Sequence, residues 1–273
     1  MSIPKNISIS CPKCEEKFNT VVFQSLNTNY DKDVVRSVIS GERFNAKCPR
    51  CGFIAHLEYD VLYHDLDHGA FIWVVNPNQT NYSQRVNEVR STPCPNSLLT
   101  RLVPDINALR EKAACLTAGR DDKVIELCKV FVESQVVQQR PDFQINSSFY
   151  TISGDREVIF IYDKNGTELC CDLNDGIYNT VQSFFDKKLQ KLNIIPYQVI
   201  DHAWATEIMN APLSEVDPDS EPIVDAIDDT DKDVVNMNQT PTEIPPVRFC
   251  RRCGARLLSD SIFCSYCGTK VVQ

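Results

Sequence analysis

The chain has 273 residues, 42% of them hydrophobic and 24% charged, a globular composition long enough for one ordinary domain plus something small. Its formal net charge of -9 disfavours broad attraction to nucleic-acid phosphates. No apolar run reaches membrane-spanning length, and Met1-Ser2-Ile3-Pro4-Lys5 lacks the apolar core and cleavage site of an export signal. The thirteen cysteines are therefore expected in a reducing, cytoplasmic compartment where disulfides do not persist.

In chain order, Ile7-Ser8-Ile9-Ser10 alternates as a short strand and runs into a first cysteine knuckle, Cys11-Pro12-Lys13-Cys14. The β-rich stretch Phe18 to Leu26 leads out of it, which makes a strand–knuckle–strand hairpin. Asp31 or Asp33 caps a predicted helix carrying Val34, Val35, Val38 and Ile39 at helical spacing, and Gly41 ends it. A second knuckle, Cys48-Pro49-Arg50-Cys51-Gly52, follows, with Phe53 to Tyr59 as the strand leaving it. Two C-x2-C pairs can aim four thiolates at one point and close a tetrahedron around one Zn2+, so Cys11, Cys14, Cys48 and Cys51 are the predicted ligands. The 33 residues between Cys14 and Cys48 are a wide gap, tolerable because loop-closure entropy grows only logarithmically.

Tyr63-His64-Asp65-Leu66-Asp67-His68-Gly69 comes next, then the apolar strand Phe71-Ile72-Trp73-Val74-Val75 and Asn76-Pro77. His64, Asp65 and His68 invite a second polar or metal site, but side chains on a strand alternate in direction and only His56 could add another imidazole. A hydrogen-bonded structural turn is the preferred reading, with hydrolytic or weak metal chemistry as its rival. The paired Cys-Pro-x-Cys knuckles, the helix ending in Gly41, the Tyr63-His64-Asp65 turn and the strand closing at Pro77 together resemble the CpXC domain of bacterial and archaeal proteins. The resemblance continues through Arg120-Asp121-Asp122-Lys123-Val124-Ile125-Glu126-Leu127. It implies a zinc-binding domain of undetermined activity.

Pro104-Asp105 opens a predicted helix through Ile106, Leu109, Ala113 and Leu116 to Gly119. Asp121 or Asp122 caps a second, from Val124 to about Gln138. Its apolar face carries Val124, Leu127, Cys128, Phe131 and Val132, with Lys123, Glu126, Lys129 and Glu133 near the other face. Cys115 and Cys128 fall among apolar positions and read as small hydrophobes. From Phe149 the period becomes that of strands, turning at Gly154-Asp155 and in a hairpin at Lys164-Asn165-Gly166. Adjacent Cys170 and Cys171 point to opposite faces of the returning strand, so they neither chelate one ion nor pair usefully. A helix from Asn174 or Asp175 through Leu189 packs across that sheet.

The expected architecture is α+β: N-terminal zinc-ribbon-like β elements joined to a helix pair and a hairpin–helix body over residues 1–210, an acidic linker over 211–247, and a small terminal ribbon over 248–273. The linker holds ten acids against Lys232 alone, with prolines at 212, 218, 222, 241, 245 and 246, and reads as a solvated spacer. Phe249-Cys250-Arg251-Arg252-Cys253-Gly254 and Phe263-Cys264-Ser265-Tyr266-Cys267-Gly268 are similar to the short bacterial zinc-ribbon family with paired F-C-x2-C-G repeats. Cys250, Cys253, Cys264 and Cys267 are thus predicted to hold a second structural zinc, with too little apolar core to fold without it.

Both sites offer four cysteines and look closed, and no nucleophile elbow, phosphate-cradling loop or helix-borne His pair is present. The expected function is that of a non-catalytic zinc-binding bacterial protein acting as a macromolecular interaction or adaptor module, with a protein partner and no membrane. The alternative is a nucleic-acid-binding regulatory protein using the basic ribbon. It is less favoured, because Arg251 and Arg252 also screen the dianionic thiolate site beside them.

Overall fold

A computed structural model describes residues 2–31, 33–95, 97–211, 248–249 and 256–257. Strands β1 (Ile3–Ser10) and β2 (Lys17–Asn27) form an antiparallel hairpin with the first knuckle at its tip, Ile9 opposite Phe18 and Ile7 opposite Thr20. Helix α1 (Val34–Ser40) follows and ends as its sequence requires. Gly41 takes φ 82°, and its N–H bonds the carbonyl of Val38 at 3.0 Å. Arg110 lies directly over Gly41 and donates Nε to the carbonyl of Ile39 at 3.0 Å, satisfying an end-of-helix acceptor. Asp33 occupies the N-cap position, but its side chain makes no capping bond.

A 3-10 turn, Glu42–Phe44, leads into β3 (Asn45–Lys47), which pairs with β4 (Ile54–His56) as a second hairpin around the second knuckle. Strand β4 is shorter than the seven-residue run read from the sequence. Next come β5 (Val61–Asp65), β6 (Ala70–Val74), α2 (Tyr82–Arg90) and β7 (Leu99–Val103). The order β1-β2-β5-β6-β7 makes a mixed sheet in which β5 runs parallel to β2 and β7 parallel to β6. In β5 and β6 buried residues alternate with half-buried ones, so Val61, Tyr63, Ile72 and Val74 face the core with Leu26, Val34, Val38 and Phe44.

Helices α3 (Ile106–Thr117) and α4 (Asp122–Gln139) follow, separated by a tight turn at Gly119. Asp105 caps α3 by accepting from Ala108 N at 2.8 Å, and Glu58 accepts from Ile106 N at 3.2 Å. Asp121 caps α4 through Lys123 N.

The described chain divides into two compact units, with the change falling inside α3. One unit holds the sheet above together with residues Ile195–Val199. In that returning segment Gln198 bridges Arg101 in parallel fashion. Tyr197 packs at 1% exposure against Val75, Val86, Val89 and Leu102. Tyr197 takes φ 57°, an uncommon conformation for a bulky residue, held by its N–H to Thr100 Oγ1 at 2.9 Å.

The other unit spans Ala114–Ile194 and resumes at Ile200. It contains α4, the antiparallel sheet β10-β9-β8 and two further helices. Strands β8 (Ile145–Ser153), β9 (Arg156–Asp163) and β10 (Glu168–Asp172) meander through the two expected turns. Cys171 is buried and Cys170 exposed, as opposite faces demand. Helix α5 (Asp175–Lys191) is capped by Asn174, and α6 (His202–Asn210) by Asp201.

The charged side of α4 departs from the amphipathic reading. Asp122, Glu126, Lys129 and Glu133 are all buried, because α5, α6 and β8 pack around the helix and leave it little solvent face. The charges there are matched instead of hydrated: Lys129 pairs with Glu126 at 2.9 Å and Glu133 with His202 at 2.6 Å.

At the far end β11 (Arg248–Phe249) and β12 (Arg256–Leu257) pair antiparallel, Phe249 opposite Arg256. The acidic linker and Cys250, Cys253, Cys264 and Cys267 lie outside the described residues.

Candidate metal centre

The two knuckles are built alike. In the first, Cys11 N–H donates to the carbonyl of Glu16 at 2.8 Å, and Glu15 N–H donates to the carbonyl of Cys11 at 2.9 Å. In the second, Cys48 N–H donates to Phe53 O at 2.8 Å and Gly52 N–H to Cys48 O at 3.0 Å. Each chain therefore folds back over two residues and turns both of its sulfurs toward the other hairpin. The turn is completed in the left-handed region at Glu15 (φ 59°) and Gly52 (φ 70°).

The four sulfurs all lie within 4.8 Å of one another. Cys11 Sγ is 3.6 Å from Cys51 Sγ, and Cys14 Sγ is 3.6 Å from Cys48 Sγ. These two separations share no atom, so they are opposite edges of the tetrahedron. A Zn–S bond of about 2.3 Å implies edges of about 3.8 Å, so the cage has the size that zinc requires, and it is far wider than a disulfide. Four soft thiolates in tetrahedral array suit zinc over the harder divalent cations, and they leave no coordination position open. Cys11 and Cys48 are buried, Cys14 half-buried and Cys51 exposed. An exposed ion pair, Arg50 Nη1 to Glu16 Oε2 at 3.6 Å, joins the two turns from outside.

The thiols themselves are electrostatically unlike. Burial raises Cys11, but the N–H groups of Lys13 and Cys14 and the neighbouring Cys51 and Cys14 thiols outweigh it and bring the group down to about 7. The Glu16 N–H lowers Cys14, but burial and the Cys51, Cys11 and Cys48 sulfurs push it up to about 12. Such a spread is what like-charged neighbours impose on one another, and a divalent cation at the centre removes its cause. By contrast the structural thiol Cys128 is pushed up to about 12 chiefly by burial, which makes it a poor nucleophile and a poor ligand.

Among the described residues, these four sulfurs are the one group of three or more Cys, His, Asp or Glu donors that converges. His64, Asp65 and His68 do not form a common site. Asp65 ends β5 as a buried acceptor. It takes hydrogen bonds from Tyr63 Oη at 3.3 Å, Thr28 Oγ1 at 3.4 Å and His68 N at 3.2 Å, and pairs with His68 Nδ1 at 2.9 Å. That arrangement closes the β5–β6 turn. His64 points to the other face of the strand, where its Nδ1 meets Asn27 Nδ2 at 3.1 Å and its ring stands edge-on to Phe71. Burial lowers its pKa, with Asp65 opposing. His56 pairs with Glu58, which also accepts from Ile106 N at the start of α3.

The sequence reading did not identify Glu15 as the left-handed partner of Gly52. The signal was present: Glu15 stands directly after its C-x2-C pair, as Gly52 does.

Residues 9–129 match the family model of CpXC proteins, and residues 249–271 match that of the zinc-ribbon domain. No curated protein and no solved structure matches the chain. The chain thus contains a CpXC domain and a terminal zinc-ribbon domain, and it is a zinc-binding protein of mixed α+β fold. No helix among the described residues is long and apolar enough to cross a membrane.

Proposed function

We propose that this chain, which carries a CpXC domain and a terminal zinc ribbon, is a non-catalytic cytoplasmic adaptor in which zinc shapes the polypeptide and performs no reaction. Cys11, Cys14, Cys48 and Cys51 would hold one ion, and Cys250, Cys253, Cys264 and Cys267 a second. The observation that carries this reading is the sulfur tetrahedron itself: four protein ligands fill the coordination sphere, and a catalytic zinc keeps one position for water or substrate. The acidic spacer over 211–247 supplies the rest of the argument. Two modest contacts on one chain bind a macromolecule more tightly than either alone, because the second forms at a raised local concentration.

The test has two parts. Elemental analysis of the full chain should find about two zinc ions per molecule. Partner capture by the full chain and by a chain ending before residue 248 should then be repeated at graded salt. Protein-mediated capture survives rising salt and weakens on truncation, whereas capture through phosphates collapses with salt and favours the nucleic-acid alternative.

A further inference from the structure

The four cysteines differ in burial, and within a cage whose sulfurs all lie within 4.8 Å of one another two cross-knuckle contacts measure 3.6 Å. Cys51 is the exposed member, and the sulfur 3.6 Å from it belongs to Cys11, on the other knuckle. Cys14 and Cys48 form the remaining pair at 3.6 Å, also between knuckles. We infer that Cys51 is a site of oxidation by hydroperoxides, and that Cys11 resolves it into a disulfide that takes over the metal's task of joining the two hairpins. The inference rests on the structural-zinc reading above.

In the first step the Cys51 thiolate attacks one peroxide oxygen. The O–O bond breaks, hydroxide leaves, and Cys51 becomes a sulfenic acid. Next the Cys11 thiolate attacks the Cys51 sulfur, the S–S bond forms, and the S–O bond breaks with loss of a second hydroxide. Two thiolates have given up two electrons and the peroxide has taken both. The sulfurs close from 3.6 Å to about 2.05 Å. Zinc held by Cys11, Cys14, Cys48 and Cys51 would then keep only two thiolates of its saturated sphere and would be released as the divalent cation. A second peroxide can then join Cys14 to Cys48.

The connectivity matters mechanically. A bond within either C-x2-C pair would leave β1–β2 and β3–β4 untied once zinc departs. The cross-knuckle bond keeps residues on opposite sides of the 33-residue gap connected. The described cysteines outside the cage are not in this position. Cys94 is half-buried against the Tyr197 cluster, Cys115 and Cys128 are buried, and Cys170 and Cys171 face opposite sides of β10.

The test uses the full zinc-loaded chain and hydrogen peroxide. After elemental analysis, the chain is treated with peroxide below one equivalent, quenched in acid, alkylated and digested, while released zinc is read with a chromogenic chelator. The expected first crosslinked peptide joins Cys11 to Cys51, appearing in step with zinc release, and Cys14–Cys48 follows at higher peroxide. A first product of Cys11–Cys14, Cys48–Cys51 or any other pair overturns the inference, as does zinc release without a Cys11–Cys51 bond. Absence of zinc at the outset instead overturns the structural-zinc reading, and the order of disulfide formation can still be mapped.

Discussion

Glu15 occupies in the first knuckle the backbone position that Gly52 occupies in the second. Both sit in the left-handed region, at φ 59° and 70°, and both donate their N–H to the carbonyl of the knuckle's first cysteine. Only glycine adopts that conformation without a steric cost, which for other residues is about 1–2 kcal/mol. Glu15→Gly should therefore stabilise the first unit by about 0.5–1 kcal/mol, once the extra chain entropy of glycine is set against the relieved strain. Gly52→Ala should destabilise it by about 1 kcal/mol through the backbone alone, since a Cβ there would meet nothing within 4 Å. Denaturant midpoints at fixed free zinc measure both.

Removal of one sulfur should cost the cage its ion. Cys48→Ser is expected to lower zinc content by about one ion per chain and to speed amide exchange in β3 and β4, because a structural site's binding free energy is also folding free energy. Elemental analysis and hydrogen exchange report the two effects separately. Full zinc occupancy in that variant would show that the four sulfurs do not act as one site.

In the second unit Arg120 grips Glu157 through both Nε and Nη2, the shortest contact being 2.6 Å, and also reaches Asp175. Its guanidinium lies 4.4 Å from the centre of the Tyr178 ring, and Tyr150 donates to the same Glu157 carboxylate at 2.6 Å. Arg120→Ala should cost about 3 kcal/mol, since it leaves Glu157 shielded without its cation. The double variant Arg120→Ala with Glu157→Gln should be less destabilised than the two single losses added together, as a double-mutant cycle in urea would show.

His202, the first residue of α6, pairs through Nε2 with Glu133 on α4 at 2.6 Å. Its pKa is raised above 6.5, first by that hydrogen bond; Glu126 adds to the effect, while burial and Lys129 oppose it. A raised folded-state value means that protonation favours the folded chain. The contribution is complete below 6.5 and disappears as pH rises through the higher folded-state value. The thermal midpoint should accordingly fall over that interval in the wild type and fall less in His202→Gln, with amide exchange in α6 locating the change.

Asp65 and His68 can be separated by their burial. Asp65→Ala strands the donors of Tyr63 and Thr28 and should cost about 2–3 kcal/mol, whereas His68→Ala, at a side chain 41% exposed, should cost under about 1 kcal/mol. Equal losses at the two positions would contradict a turn organised by the carboxylate alone.

The site was legible because its information is local. Two C-x2-C pairs fix sulfur geometry over a few residues, and the stop of α1 at Gly41 and the Asn165-Gly166 hairpin are equally local. The elements that went unread lack such signals. Helix α2 shows only Tyr82, Val86 and Val89 on its apolar side, and β7 is a five-residue piece behind Pro93 and Pro95. Period also misjudged the charged side of α4, since a charge pattern does not reveal whether other helices will cover it. The parallel pairing of β2 with β5 and the return of Tyr197 to Thr100 depend on contacts between distant stretches, which spacing cannot encode.

That return has a consequence for synthesis. Tyr197 and the Arg101–Gln198 bridge belong to the unit whose other described residues, the terminal strands aside, end at Ala113, and the second unit's first 81 residues lie between them in sequence. A ribosome must deliver that entire stretch before the first core can be finished. At about 5–20 residues per second the earlier sheet waits several seconds for its last aromatic. Shortening the wait, by a permutation that places 195–199 next to 113, would let the knuckle-bearing body mature on its own schedule.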